Sequence, residues 1–296
     1  MNGNAILPGL GLGLLAAVSY GSNVPFAKLS AEAGVSGPNV VFYRSLLMVA
    51  LLGLFALSRR APLAVPQGVR LPVLGLGVAT SFVGICYISS VAFIPVGVAT
   101  IIYYLYPLVI LVVSPWVDSE RLTPARLMIF ALAFLGLVVA IGPAFTSLDP
   151  RGLVLAMLGS AAAAAQFFFA ARATRAIGPV AAGFWAQAIQ MPAALGICLL
   201  AGGPVAPAAL AGAAWPVGMT CALFILAFAL HLASARMAPP AALGLVFCAE
   251  PVASILLAAR LLGETLAPAQ LAGGCLVLLA IVGSVVVESR RPALGT

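Results

Sequence analysis

Apolar residues form ten long runs in this chain, and the breaks between the runs hold most of its charged residues together with Pro and Gly. A helix needs about 20 apolar residues to cross a hydrocarbon core of about 30 Å, and each run approaches that length. The connections are too short to form a soluble domain of their own. The pattern therefore predicts an all-α integral membrane protein with ten transmembrane helices, near residues 5–27, 38–58, 70–92, 97–117, 124–143, 150–171, 179–201, 214–235, 240–260 and 268–288.

The second half of the chain repeats features of the first half at a constant distance. Four residues that membrane helices use sparingly recur 144 positions further on, so that Pro95, Pro107, Glu120 and Pro124 correspond to Pro239, Pro251, Glu264 and Pro268. This step crosses five predicted helices, and because five is odd the second copy enters the membrane in the opposite orientation. We predict two inverted five-helix repeats, residues 1–147 and 148–296, in one integrated membrane unit. Inverted repeats are common in secondary transporters, which favours alternating access about a site near the midplane.

Charge is scarce and unevenly distributed. Charged residues make up 7% of the chain, whereas about 25% is usual in soluble domains. With the N-terminus in the cytoplasm, ten Lys and Arg residues fall on the cytoplasmic side of the predicted helices and three on the other side. This is the bias that the positive-inside rule predicts when both termini are cytoplasmic. We therefore expect a multi-pass protein of the cytoplasmic (inner) membrane, whose net charge of +7 orients it in the lipid bilayer and does not indicate a nucleic-acid partner.

Cysteine and histidine give no indication of a cofactor or a metal site. The five cysteines all lie within predicted helices, and no two have the C-x-x-C spacing of redox and metal sites. The chain has one histidine and neither a His-Glu-x-x-His motif nor a glycine-rich ATP-binding loop. We predict no cofactor, no metal and no enzymatic activity. An intramembrane enzyme and a channel are the less favoured functional classes, since a single central acid offers no charged ring for a channel.

The combination of these features resembles a known family. Beside the paired halves, the chain has the segment YGSNVPFAK at residues 20–28, Arg44 early in the second predicted helix, and a Glu-x-Leu-x-Pro turn at residues 120–124 and 264–268. In these respects it resembles the ten-helix, EamA-type members of the drug/metabolite transporter superfamily over nearly its whole length. The resemblance, which extends to an aromatic amino-acid exporter, implies export of amino acids or other small metabolites.

The fourth predicted helix carries a cluster of tyrosines next to a proline. With about 100° between successive residues, four side chains share one face of the helix, namely Thr100, Tyr103, Tyr104 and Pro107, while Tyr106 points elsewhere. Proline kinks a helix and frees carbonyl groups, which a membrane tolerates only beside protein or a wet cavity. We predict that this face is a wall of the substrate pocket and that Pro107 and its repeat Pro251 are hinges. The alternative is an aromatic belt at the membrane interface.

Glu250 in the ninth predicted helix is the acid placed deepest within an apolar run, at the position that Tyr106 has in the first repeat. A carboxylate at the centre of a membrane costs about 2.5–3.5 kcal/mol on insertion scales, which favours a functional role. It could bind the amino group of a substrate or carry a proton, and the alternative is a structural hydrogen bond between helices. His231 is the second candidate for a proton-linked role, with a packed, hydrogen-bonded histidine as its alternative.

Polar and aromatic residues in three other helices complete the predicted pocket. The candidates are Gln187 and Gln190 on one face of the seventh predicted helix, Trp185 beside them, Gln166 in the sixth and Tyr87 in the third. Amides can hydrogen-bond a zwitterion, and aromatic rings can stack on an apolar side chain. Hydrogen bonding between helices is the alternative role of the glutamines.

Three further charged residues are predicted to serve the architecture. Arg44 lies close to the outer end of its helix, so it is expected to extend to the membrane surface or to pair with Glu32. Glu120 and Glu264 each precede a helix that begins with proline, where an acidic side chain suits the helix dipole.

These patterns together predict a secondary transporter that exports amino acids or similar small metabolites across the inner membrane by alternating access. Efflux of cationic drugs or other metabolites, with Glu250 as the partner of the cation, is the alternative within the transporter class. Facilitated diffusion and exchange with protons both remain open as modes of energy coupling.

Overall fold

The computed structural model describes residues 3–90, 93–94, 96–118, 122–142, 149–263 and 266–289. Within these ranges the chain is helical and contains no strand. The helices are α1 (Gly3–Glu32), α2 (Gly37–Arg59), α3 (Arg70–Ser90), α4 (Val96–Tyr103), α5 (Tyr106–Val117), α6 (Pro124–Ile141), α7 (Pro150–Leu200), α8 (Pro207–Leu210), α9 (Ala214–Met237), α10 (Pro240–Val246), α11 (Ala249–Leu262) and α12 (Pro268–Ser289). Pro95, Glu120 and Glu264 lie outside the described ranges, as does the predicted boundary between residues 147 and 148, which stays a prediction.

The long helix α7 is two membrane helices joined at a kink. Its 51 residues would extend about 77 Å as one straight helix, far more than a bilayer is thick. The kink is at Gly178, whose φ of 80° and ψ of 163° are open to glycine and strained for other residues. Pro179 follows and begins the second part. Nine helical stretches in the described chain are long and apolar enough to span a membrane, and division of α7 gives the ten that the sequence predicts.

The fourth and ninth membrane helices are each interrupted at the same place in their repeat. Residues 104 and 105 separate α4 from α5, and residues 247 and 248 separate α10 from α11. Each break lies just before a proline of the repeat, Pro107 or Pro251, whose ring clashes with a helical carbonyl four residues earlier. Tighter i to i−3 bonds replace the helical pattern there, such as those from Leu105 N to Ile102 O and from Cys248 N to Leu245 O, both 3.1 Å.

Helix packing follows the repeat. The helix α3 packs along α7, and its counterpart α9 packs along α1; the counterparts α6 and α12 pack on each other, as do α2 and the second part of α7. If the two halves are exchanged, the contact of α3 with α7 therefore corresponds to that of α9 with α1. The contact between α6 and α12 and the contact between α2 and the second part of α7 each correspond to themselves. The fold class predicted from the sequence is confirmed: an all-α membrane protein with ten helices in two inverted repeats.

Small residues allow the closest contacts between helices. A Cβ atom on Gly273 of α12 would overlap the backbone of Gly136 and Ala140 in α6. A Cβ atom on Gly9 of α1 would lie 2.8 Å from the Cβ of Met237, and one on Gly13 would lie 2.7 Å from Leu243. The two contacts of α1 close the half of the protein that holds its first turns. Close approach through glycine is a general means of packing helices in membranes.

Candidate substrate-binding cavity

A cavity of about 390 Å³ lies at the centre of the helix bundle. Both repeats line it. The first repeat contributes residues of α1, α2, α3, α4 and α5, and the second contributes residues of both parts of α7, of α9, of the break after α10 and of α11. Such a volume suits a small metabolite, since ligand pockets in proteins range from about 300 to 1,000 Å³. The interrupted helices meet the cavity at their breaks, through Tyr103, Tyr106, Phe247 and Glu250.

The cavity extends from the middle of the bundle toward the face where α1 ends and α2 begins, which we call the α1–α2 face. Its lining comes from the second half of α1, from the first half of α2 and from the first half of α9. Val24, which is 49% exposed, and the exposed Gly37 lie at its mouth. On the opposite side, α1 packs directly on the end of α9 and on α10 through Gly9 and Gly13. The described part of the molecule is therefore open toward one face and packed toward the other.

Aromatic rings form one continuous wall of this cavity. The ring centroids of Tyr103 and Tyr106 are 5.5 Å apart, those of Tyr106 and Phe167 are 5.4 Å apart, and those of Phe167 and Phe247 are 5.0 Å apart. Tyr20 continues the wall at 6.0 Å from Phe247. Rings at such separations gain from edge and offset contacts with each other while their free faces stay available to a ligand.

Tyr106 lines the cavity, although the helical pattern predicts that it points away from the face of Tyr103. Conversely, Tyr104 is buried behind the lining. The reason is the break at residues 104 and 105, because the rule of about 100° per residue holds only along an uninterrupted helix. Thr100 also lies behind the lining, where its hydroxyl is 2.8 Å from that of Tyr87.

Glu250 lines the cavity from the first turn of α11. Two features hold it there. The start of a helix carries partial positive charge that favours a carboxylate. In addition, α1 packs on the Glu250 backbone, since a Cβ atom on Gly21 would overlap the Glu250 carbonyl oxygen. The acid is thus fixed on the most constrained contact between the two repeats.

The predicted polar candidates divide between the cavity and its support. Gln166 and Gln190 line the cavity, and their amides donate to the Thr80 hydroxyl at 2.8 Å and to the Thr80 carbonyl at 3.2 Å. Gln187 is fully buried outside the lining, where Ser45 donates to its Oε1 at 2.9 Å. Trp185 lies outside the cavity, and its indole N–H donates to the Leu63 carbonyl at 2.7 Å. The structure therefore places Gln187 and Trp185 in support of the site.

His231 lines the cavity within the aromatic wall. Its ring centroid is 4.6 Å from that of Phe167 and 4.8 Å from that of Phe247. Its Nε2 is buried and has no hydrogen-bond partner among the described residues. This packing is typical of a core histidine. The alternative of a packed, hydrogen-bonded histidine also predicts a hydrogen bond, and Nε2 makes none with the described residues.

Arg44 also lines the cavity, where the sequence predicts a surface residue. Its guanidinium carbon lies 3.6 Å from the centre of the Phe224 ring. No ion pair joins it to Glu32 or to another acid in the described part of the chain. The pattern of apolar runs indicates how far along its helix Arg44 lies but not which way its side chain points. The sequence therefore did not predict that Arg44 lines the cavity.

Several lining residues were not predicted at all, chiefly Tyr20, Asn23, Thr80, Thr220 and Phe228. They come from helices without an intramembrane charge or a central proline pair to mark them. Asn23 is the most informative, because its amide donates to the Thr220 carbonyl and joins α1 to α9 beside the mouth. Burial of an Asn side chain in a membrane helix costs free energy, and this cost is the sequence signal that could have indicated Asn23 as a lining residue.

Comparison with known proteins agrees with this architecture. The sequence model of the EamA-like transporter family matches the chain twice, over residues 7–142 and 150–286, once in each repeat. The chain is 26% identical over 271 residues to the threonine/homoserine exporter RhtA of Salmonella typhimurium, in strains SL1344 and LT2, covering 88% of this chain and 85% of the exporter. A solved crystal structure with 21% sequence identity has the same fold, with a TM-score of 0.73 and coverage of 96% of this chain and 99% of that one. The chain is a multi-pass membrane protein that belongs to the EamA-like transporter family.

Proposed function

We propose that this protein is a secondary transporter that exports amino acids or similar small metabolites across the cytoplasmic membrane by alternating access. The observation that carries the proposal is the cavity between the two inverted repeats, which holds Glu250 and an aromatic wall and extends toward the α1–α2 face. Exchange of conformations between inverted halves would close this mouth and open a cavity on the opposite face. The prolines Pro107 and Pro251, next to the two helix breaks, are the proposed hinges.

The proposed orientation follows from charge. With ten basic residues on the side of the termini and three on the other, both termini are cytoplasmic in this proposal. The α1–α2 face then lies outside the cell, and the described conformation is open to the outside. In an exporter this is the state that releases substrate, and binding takes place in the opposite state.

The lining suits a small zwitterion. Glu250 offers a carboxylate to an ammonium group, and Tyr87, Gln166 and Gln190 offer hydroxyl and amide groups. The aromatic wall accepts the apolar part of a side chain. The curated relative RhtA is named an exporter of threonine and homoserine, which supports amino acids as the substrate class.

Efflux of cationic compounds is the second candidate. It is favoured by one specific observation, the position of Glu250 beside the aromatic rings of Tyr103 and Phe247, because carboxylates and aromatic faces both attract cations. Arg44 in the same cavity counts against it, since a fixed positive charge repels a ligand that carries no negative group. We therefore place the zwitterion first.

Proton coupling is proposed through two lining residues. Glu250 and His231 both face the cavity and both can take up a proton. Exchange of a proton for substrate at either residue would couple export to the proton gradient. Without such exchange the protein would act by facilitated diffusion.

The test is counterflow in proteoliposomes against a panel of amino acids, with and without a pH gradient. A carrier gives saturable uptake that substrate on the opposite side accelerates, and proton coupling makes this uptake depend on the gradient. Flux that neither saturates nor responds to substrate on the opposite side indicates a channel. If no amino acid competes, the substrate proposal fails while the assignment to the transporter family stands.

The substitution Glu250→Gln should reduce amino-acid counterflow about tenfold or more, because the proposed partner of the ammonium group loses its charge. The matched control is Glu32→Gln, at the exposed end of α1 outside the cavity lining, which should leave counterflow unchanged. Under the cationic alternative, Glu250→Gln abolishes transport of organic cations, and zwitterion export retained in the variant counts against that alternative.

A further inference from the structure

We propose that Arg44 and Phe224 form a carboxylate-binding subsite in the central cavity, so that the substrate must carry a carboxylate as well as an amino group. This inference rests on the proposed function and deepens it, because it assigns the second charged group of an amino acid to a residue that the proposal above leaves without a role. It also separates zwitterions from amines and neutral metabolites on chemical grounds.

The position of Arg44 directs its guanidinium into the cavity. The residue lies seven positions after Gly37, the first residue of α2, which is a distance of about 10 Å along the helix. Its guanidinium carbon lies over the Phe224 ring, 3.6 Å from the ring centre. A guanidinium in this arrangement keeps its N–H groups at its edge, in its own plane, where they can reach a planar acceptor.

Its hydrogen-bonding capacity is unused. The Nε atom is buried and has no hydrogen-bond partner among the described residues. No ion pair joins the guanidinium to an acid in that part of the chain, including Glu32 and Glu250. A cation within a membrane helix that has no acidic partner is unfavourable, and such residues generally mark a substrate path or a ligand site. The ring of Phe224 offsets only part of this cost.

A carboxylate is the ligand that completes this group. Arginine and carboxylate form two parallel charge-assisted hydrogen bonds, which gives the pair both strength and a fixed geometry. Neutral acceptors form weaker single bonds, and organic cations leave the guanidinium uncompensated. The chemistry of the subsite therefore selects ligands with a carboxylate.

The cavity then has one acidic and one basic contact for the same ligand. Arg44 lies in the first half of α2 and Glu250 in the first turn of α11, and both line the cavity without pairing with each other. Tyr20, in the aromatic wall, connects them, because its ring centroid is 5.7 Å from that of Phe224 beside Arg44 and 6.0 Å from that of Phe247, which precedes Glu250 by three residues. A ligand with a carboxylate and an ammonium group neutralises the two sites together. Loss of either group from the ligand leaves one site unpaired.

The experiment compares binding of L-threonine and L-threoninamide, which lacks the carboxylate, to the full-length protein in nanodiscs. We expect the wild type to bind L-threonine at least about tenfold more tightly, because a site built for a polar group rejects the analogue that lacks it. Arg44→Gln should weaken threonine binding about tenfold or more and change threoninamide binding less than about threefold. Arg44→Lys should fall between, since it keeps the charge and loses the planar fork.

The matched control is Arg70→Gln, because Arg70 is exposed at the start of α3 and lies outside the cavity lining. It should bind both compounds as the wild type does. Equal loss of both ligands in Arg44→Gln indicates a structural role for Arg44 and overturns the inference. An Arg44→Gln variant that still binds threonine more tightly than threoninamide, to the same extent as the wild type, also overturns the inference.

A second measurement requires neither a variant nor an amino-acid substrate. Phenylglyoxal modifies arginine, and mass spectrometry follows the reaction at Arg44 in the wild type, with the 72% exposed side chain of Arg151 as internal reference. Propionate should slow the reaction at Arg44 and propionamide should not, while Arg151 reacts alike in both. Absence of protection by propionate overturns the subsite, whatever the outcome of counterflow. Protection without amino-acid counterflow retains the subsite and rejects the proposed function.

Discussion

Ser45 connects a residue outside the cavity lining, Gln187, to a residue in the lining, Gln190. Its hydroxyl donates to Gln187 Oε1 at 2.9 Å and to Gln190 Oε1 at 3.2 Å, and all three residues are buried. Gln190 in turn reaches the Thr80 carbonyl on α3. One hydroxyl thus joins α2 to the second part of α7 and sets the direction of an amide that faces the ligand.

Replacement of Ser45 by Ala should lower the free energy of unfolding by about 1 kcal/mol, since hydrogen bonds between membrane helices are worth roughly 0.6–2 kcal/mol. The measurement is unfolding of the protein in mixed micelles with increasing denaturing detergent. Ser58→Ala is the matched control, because Ser58 is exposed and bonds only to the Phe55 carbonyl within its own helix. Equal effects of the two substitutions contradict the network.

At the scale of helices, glycine determines how closely α6 and α12 approach. These two are counterparts in the repeat, and they meet where Gly136 and Gly273 expose backbone to each other. The contact lies outside the cavity lining. It is therefore a place where packing can be tested without a direct effect on the ligand.

Gly273→Ala should destabilise the protein by about 1–3 kcal/mol, because the added methyl meets backbone that no side-chain rotation can move away. The control is Gly196→Ala in the second part of α7, where an added Cβ has no neighbour within 4 Å. That change should leave stability the same or raise it by up to about 1 kcal/mol through helix propensity. Detergent unfolding measures both, and a stable Gly273→Ala would show that α6 and α12 separate readily.

The breaks in the two interrupted helices have the same position in each repeat but carry different side chains. Both interrupted helices contribute to the cavity at their breaks, one through tyrosines and the other through Phe247 and Glu250. The same backbone irregularity thus places different chemistry in each repeat. The proposed hinge movement takes place at these breaks, next to Pro107 and Pro251, because bending a helix at an existing break disrupts fewer hydrogen bonds than bending an intact helix.

At the scale of the whole molecule, access to the cavity can be measured. In a background without the five native cysteines, Val24→Cys should react with a membrane-impermeant maleimide applied to intact cells, because Val24 lies at the mouth on the α1–α2 face. Ser58→Cys, at the other end of α2, should react only after the membrane is opened. The opposite pattern would reverse the proposed orientation, and labelling of neither site would contradict an open mouth.

The sequence predicted most of the fold because membrane helices follow simple rules. Ten apolar runs, the step of 144 residues and the odd number of helices within it determined the number of helices and their inversion. The rules could not give the ends of helices. The first helix continues to Glu32, five residues beyond its predicted end, because an apolar run marks the edge of the membrane and a helix can extend past it.

The candidate site was predicted in part. Glu250, Tyr87, Tyr103, Gln166, Gln190 and His231 line the cavity, whereas Thr100, Tyr104, Trp185 and Gln187 lie behind or beside it. Tyr106 and Tyr104 exchanged their expected places at a helix break. The sequence placed Arg44 near the outer end of its helix and predicted a surface residue, because the neighbour of its side chain, Phe224, is contributed by α9, 180 residues later in the chain.

The sequence by itself determined what each segment is, because burial in a bilayer imposes apolar length, charge distribution and paired prolines on the chain directly. Only the tertiary structure decided which side chains share the cavity. That outcome depends on helix rotation, on the breaks before Pro107 and Pro251, and on contacts between helices that lie far apart in the chain. Arg44 and Glu250 are charged residues in separate apolar runs when read in order, and they line one cavity because α2 and α11 enclose the same space.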